Sequence, residues 1–370
     1  MLKKNYIMRL LILVLLLPFT SFSQQKPRLE EMAAQMIMIG LPDNVIDSNS
    51  TFYKDVRAGK IGGLTMYERH LTATNTAENL KKLIATYQQI SPLPLFISIT
   101  QEGGLVNRLK PKYGFPPMPS AEYLGKLNNL DSTKYYADTI ARTLSELGIN
   151  INFAPVVDIY KAENPVLGSR ERTFSHRTDI IIQHAEQVIK SHNHFNVLTV
   201  LKHFPGHGSS TKDSHLELTD VSTTWKKEEL EPYIELLKKE LVQGVMTAHI
   251  VNKQLDPSAL PATLSYKIIE GELRRKLKFD GVVFSDDMHM KAISSEYDVK
   301  DAIEKAINAG VDVLLFSGNI SDDKTSSASN ILHLIIQLVE ENKISKIRIE
   351  ESYNRIMKMK KALVILKPAA

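Results

Sequence analysis

The sequence predicts an α/β chain folded as a single-domain (β/α)8 barrel of the TIM type, and three observations carry that prediction. Eight short runs of apolar and β-branched residues alternate with stretches of helical period. The runs are apolar nearly throughout, as strands covered on both faces of a parallel sheet must be. Eight such units over about 340 residues also match a barrel of roughly 250 residues enlarged by insertions. A doubly wound open sheet is the competing arrangement. The barrel makes the sharper demand, because it requires catalytic groups just beyond the C-terminal ends of its strands.

In chain order the predicted strands are 36–40 (MIMIG), 63–67 (GLTMY), 95–100 (LFISIT), 151–155 (INFAP), 198–204 (LTVLKHF), 244–250 (GVMTAHI), 281–285 (GVVFS) and 312–317 (DVLLFS). ENLKKLIATYQQI lies between the second and third with helical period. Ahead of the fourth, YYADTIARTLSELG puts Tyr136, Ile140, Leu144 and Leu147 on one helical face, and Gly148 ends the helix. IIIQHAEQVIK precedes the fifth strand, KKEELEPYIELLKKELVQG the sixth and DAIEKAINAG the eighth. The irregular stretches 160–176, 205–224 and 252–261 follow strands and are predicted to build a site. No linker marks a second domain.

The first residues read as a secretory signal: basic Lys3, Lys4 and Arg9, an apolar run from Leu10 to Phe19, then small or polar residues. That run is shorter than the roughly 20 residues a membrane span needs. Residues 1–23 are expected to be removed, leaving 24–370 as the barrel, exported to a bacterial periplasm or beyond. The chain has 46 Lys and Arg against 42 Asp and Glu, a formal charge of +4, and loss of 1–23 takes three positive charges and leaves +1. A near-neutral chain without a basic stripe gives no electrostatic reason for a nucleic-acid partner. With no cysteine, disulfides, thiolate catalysis, thiolate-bound zinc and a lipid-modified cysteine are excluded.

Polar residues gather where the barrel requires them. Gln101 and Glu102 follow the third strand, Asp158 follows the fourth, Lys202 and His203 end the fifth, His249 lies in the sixth, and Asp286 and Asp287 follow the seventh. One such residue is an ordinary helix cap or loop charge. Five at the same end of five strands describe a polar pocket at the barrel mouth, where small-molecule sites form.

The densest stretch is KHFPGHGSSTKDSH, residues 202–215. Pro205, Gly206 and Gly208 keep it from becoming helical, so Lys202 and His203 stay at the rim and 207–215 form a loop with freedom to reach over the pocket. Two apart in an extended segment, Asp213 and His215 point the same way. An aspartate fixes a histidine's tautomer and raises its basicity, which suits a general acid or base. His203, His207, His215 and Asp213 are also metal-ligand types. Their spacing matches no compact motif such as HExxH, which needs a helix. In FSDD, strand alternation sends Asp286 and Asp287 to opposite sides, so one faces the pocket, and parity alone does not choose.

Taken together, KHFPGHGSSTKDSH, TQEGGLVNRL, INFAPVVDI, NPVLGSRERTF, VMTAHI with LPATLS, and FSDDMHM resemble glycoside hydrolase family 3, in particular its single-domain β-N-acetylglucosaminidases. The motifs occur in the family's order across nearly all of the chain after the signal. The resemblance implies a retaining β-N-acetylhexosaminidase that releases terminal β-linked N-acetylglucosamine from peptidoglycan fragments or chitin oligosaccharides, with no metal or organic cofactor. It places the nucleophile on Asp286, the acid/base on His215 paired with Asp213, and sugar contacts on Lys202, His203, Arg172 and Arg108. Two positions depart from the pattern: Thr100 stands where the family has an aspartate that binds sugar hydroxyls, and Leu105 where it has an arginine. A relative with another sugar preference, or a sugar-binding protein without turnover, is the alternative these departures raise.

Overall fold

The computed structural model describes residues 26–214, 216–318 and 327–365. The expected signal segment and His215 lie outside them. Eight parallel strands close a barrel: β1 (Ile37–Gly40), β2 (Gly63–Met66), β3 (Phe96–Ile99), β4 (Ile151–Asn152), β5 (Leu198–Phe204), β6 (Gly244–Thr247), β7 (Val282–Asp287) and β8 (Val313–Phe316). Each pairs with its sequence neighbour, and β8 returns to β1 through Ile37↔Leu314 and Met38↔Leu315. Each lies within one or two residues of the run that predicts it, except that β4 and β6 stop short. A further two-stranded ladder, Thr219–Asp220 with Ile250–Val251, sits beyond β5 and β6.

The interior is filled by side chains. Phe284 meets Phe96 at 6.1 Å and Phe153 at 5.8 Å between ring centroids, an aromatic layer of the kind that makes such a barrel a packed core rather than a pore. Beside Phe96, Lys360 of the last helix (Lys346–Ile365) is buried, donating from Nζ to Gln35 Oε1 at 2.7 Å and to the Gly62 carbonyl at 2.8 Å. That end of the barrel is therefore closed.

The outer helices form where the period predicts them. The helix Leu130–Leu147 starts at Asn129, whose side chain accepts the Ser132 N–H at 2.8 Å, and stops at Gly148, which takes the left-handed conformation with φ 84°. Its buried face adds Ala137 and Ala141 to Leu144 and Leu147. The segment predicted as one helix after residue 225 is instead a 3-10 turn, Lys227–Leu230, followed by the helix Glu231–Leu237. Pro232 explains the break: with no N–H to donate it belongs to a first turn, not to a helix interior.

Candidate active site at the barrel mouth

A cavity of about 330 Å³ opens at the C-terminal ends of the strands. Thr100, Arg108, Arg172, Lys202, His203 and Asp286 all line it, together with Tyr67, Arg170, His207 and Ser214. The structure thus brings together every described residue assigned to the site except Asp213, which lies half-buried next to the lining Ser214.

Two irregularities in the sheet explain how consecutive residues share one cavity. On β5, Leu201 pairs with Val245 but Phe204 with Thr247, so three steps on one strand match two on the other. Lys202 and His203 occupy the extra step. On β7, Phe284 pairs with Val313 and Asp287 with Leu315, which again inserts a residue, at Ser285–Asp286. A bulge cancels alternation locally and re-aims side chains. The expectation that only one aspartate of FSDD faces the pocket therefore fails, since both line it. They differ in what they bind. The Asp287 carboxylate is taken up by the backbone N–H of Ser317 and of His289, both at 3.1 Å, and by the Ser317 hydroxyl. Asp286 is the more exposed of the two.

Behind Asp286 lies a buried ionic group. Glu102 receives Arg172 through two bonds of 2.8 Å and Lys202 Nζ at 2.6 Å, with its side chain only 5 % exposed. Burial would raise the Glu102 pKa, but Arg172 and Lys202 hold it far below the ordinary carboxylate range. Burial lowers the Lys202 pKa against the pull of Glu102 and Asp286. For Arg172, Glu102 more than offsets burial, and Asp158 and Asp286 act in the same direction. Glu102, with Asp158 and Asp286 beside it, thus faces the two cations, which is what allows charges to persist out of water. Arg108 is placed from the neighbouring turn: Gln101 Oε1 accepts the N–H of Arg108 at 2.8 Å and of Leu109 at 3.1 Å.

Asp158 is buried and does not itself line the cavity, but it holds two residues that do. It accepts His203 Nδ1 at 2.7 Å and the His207 N–H at 2.7 Å, and these histidines hold its pKa below the ordinary value against burial. An Asp–His pair thus stands at 158 and 203, in addition to the one predicted at 213 and 215. His207 is neutral, burial lowering its pKa to about 4, and its Nε2 lies 3.0 Å from Ser214 Oγ.

The glycines of the loop behave differently from expectation. A Cβ on Gly208 would stand 2.3 Å from the Ile159 carbonyl, and one on Gly206, whose φ is +112°, 2.6 Å from Glu229 Cβ. Both permit close packing rather than motion. Asn164 seals the contact, donating to the carbonyls of His207 at 2.8 Å and Gly208 at 3.1 Å while its Oδ1 accepts the Val166 and Leu167 N–H groups. Any swing of the tip must come from residues after Ser210, where Thr211 and Lys212 are exposed. The stretch 252–261 does not line the cavity; Lys253 and Gln254 bind Ser222 and Trp225 and brace the loop from outside. Among the described residues no group of three His, Asp or Glu is placed to hold a metal ion. Asn164, Arg170, Ser214 and Glu229 were not singled out by the sequence; the first two lie in NPVLGSRERTF, which was, whereas Glu229 carries no signal at all.

Residues 28–359 match the family model "Glycosyl hydrolase family 3 N terminal domain". A protein of Pseudoalteromonas piscicida named Beta-hexosaminidase A is 33% identical over 325 residues, 82% of this chain and 54% of the relative. A Beta-hexosaminidase of Idiomarina loihiensis is 32% identical over 71% of this chain and 78% of its own length. Among solved structures, a family 3 β-N-acetylglucosaminidase of Paenibacillus sp. FPU-7 superimposes with a TM-score of 0.84 at 33% identity, over 93% of this chain and 64% of that one. A β-N-acetylhexosaminidase of Beutenbergia cavernae gives 0.80 at 26% identity, over 91% and 99%. The chain spans about half the length of the first of these relatives and most of the length of others. With the match extending over the whole barrel and the motif residues meeting in one cavity, the chain belongs to glycosyl hydrolase family 3, of which it comprises the N-terminal domain.

Proposed function

We propose that the protein is an exported β-N-acetylhexosaminidase that removes terminal β-linked N-acetylglucosamine from cell-wall fragments or chitin oligosaccharides with retention of configuration. The observation that carries the reading is Asp286, at the tip of β7 and open to the mouth cavity, with Lys202 and Arg172 in its field. A nucleophilic carboxylate beside two cations is the arrangement this reading uses. Asp286 attacks the anomeric carbon while His215 gives a proton to the departing oxygen, so the glycosidic bond breaks as an ester to Asp286 forms. Water that loses its proton to the same imidazole then cleaves the ester. Asp213 orients that imidazole, and Lys202, His203, Arg108 and Arg172 bind the sugar. No metal or organic cofactor enters this scheme. Export rests on the N-terminal pattern alone.

Thr100 favours a second reading of specificity. It lines the cavity with a hydroxyl in place of a carboxylate, which points to a different sugar preference within the same chemistry. Leu105 does not line it and is 66% exposed. A panel of aryl β-glycosides differing in the sugar and in the 2-acetamido group decides between the readings, and binding without turnover of any member overturns both. General acid catalysis is worth about 10²- to 10⁴-fold. His215→Ala is therefore expected to lose that much on an alkyl glycoside and far less on an aryl glycoside with a good leaving group. Equal losses remove His215 from the acid role.

A further inference from the structure

Besides Asp158 and Asn164, the base of the loop after β5 is held by a short segment that the catalytic scheme does not use. Within Thr224–Glu229, Thr224 Oγ1 donates to the Ser209 carbonyl at 2.8 Å and Trp225 Nε1 to the Pro205 carbonyl at 3.1 Å. Glu229, 1% exposed, accepts the Gly208 N–H at 3.0 Å and, on its other oxygen, the Ser209 hydroxyl. Lys161 Nζ reaches the same hydroxyl at 2.7 Å. Gly206 leaves room for the Glu229 side chain, which a Cβ there would meet at 2.6 Å.

We propose that Glu229 is a positioning residue for the loop bearing Asp213 and His215: its carboxylate fixes Gly208 and Ser209, and with them the point from which the loop's tip meets the cavity. The proposal rests on the glycosidase reading in so far as that tip carries the acid/base.

The electrostatics agree with an anchor that responds to protonation. Burial raises the Glu229 pKa to about 7, with Asp158 adding to the rise and Ser209 and Lys161 opposing it. Tyr233, the titratable group facing it from the helix Glu231–Leu237, is neutral, its pKa raised by burial and by Asp158 and Glu229. Both donors to Glu229 prefer the ionised acceptor, so the anchor is strongest above about pH 7.

The test compares the full-length wild type with Glu229→Gln and Glu229→Ala in two measurements. The first is kcat/KM on an alkyl and a dinitrophenyl β-N-acetylglucosaminide. Misplacing a general acid is expected to cost about 10- to 100-fold on the alkyl glycoside and less than about threefold on the dinitrophenyl one, with Ala worse than Gln. The second is amide hydrogen exchange of peptides covering 204–214. Exchange is expected to quicken about tenfold in Glu229→Ala with core strands unchanged. In the wild type, after correction for intrinsic rates, it should quicken below about pH 7, and Glu229→Gln should lack that step. Equal losses on the two substrates, or loop exchange in Glu229→Ala equal to wild type, overturn the proposal. A wild type that turns over neither substrate overturns the glycosidase reading instead, and exchange alone then decides the anchoring.

Discussion

At the residue scale the two neighbours Asp286 and Asp287 show how one motif divides its labour. Both lie at the tip of β7, but the carboxylate of Asp287 is consumed by Ser317 and the His289 N–H. Asp287 ties the end of β7 to the end of β8, whereas Asp286 has the exposure a nucleophile requires. Asp286→Asn is expected to lower turnover by about 10⁴-fold or more, the scale seen when a nucleophile is removed, with the melting temperature unchanged. Asp287→Asn is expected to lower the melting temperature and to reduce activity less. If calorimetry and steady-state kinetics give the reverse pattern, the roles are exchanged.

At the scale of elements, a buried carboxylate fastens helices to the barrel. Asp312, just before β8, accepts Arg274 Nη2 at 2.6 Å, Arg348 Nη2 at 3.1 Å, Arg355 Nη1 at 3.3 Å and the Ser352 hydroxyl at 2.7 Å. It also takes the Val283 N–H of β7 at 2.9 Å. Breaking a buried ion pair from one side leaves uncompensated charge, so Asp312→Ala is expected to cost about 3–5 kcal/mol in urea unfolding. The elements themselves were largely legible in the sequence, because a strand covered on both faces is apolar nearly throughout, as β8 (VLLF) is along its whole length. The site was legible only as a cluster. That Asp286 and Asp287 share a cavity depends on the bulge at Ser285–Asp286, and a bulge is set by pairing between distant strands. Glu229 was invisible for another reason. Its neighbours Lys226, Lys227 and Glu228 are all exposed, so it reads as one more charge on a solvated face, and only the 3-10 turn brings it inward.

For the whole molecule, the buried lysine at the closed end makes stability depend on pH in a definite direction. Burial lowers the Lys360 pKa from 10.5 to about 7. Between these values the unfolded chain holds a proton that the folded chain does not, so the contribution of this group to stability rises with pH. Below about pH 7 its burial penalty is constant. Unfolding free energies measured from pH 7 to 10 should therefore climb more steeply for the wild type than for Lys360→Met, and parallel profiles would show that the ammonium keeps its charge inside the barrel.

The pairing of β1 with β8 has a kinetic meaning. Ile37 and Leu314 meet across about three quarters of the chain's 370 residues, and the entropy of closing so long a loop must be met before the contact returns any energy. That junction should zip last. Met38, fully buried beside it, is then a late-forming contact: Met38→Ala should accelerate unfolding in stopped-flow denaturant jumps while leaving the refolding rate nearly untouched.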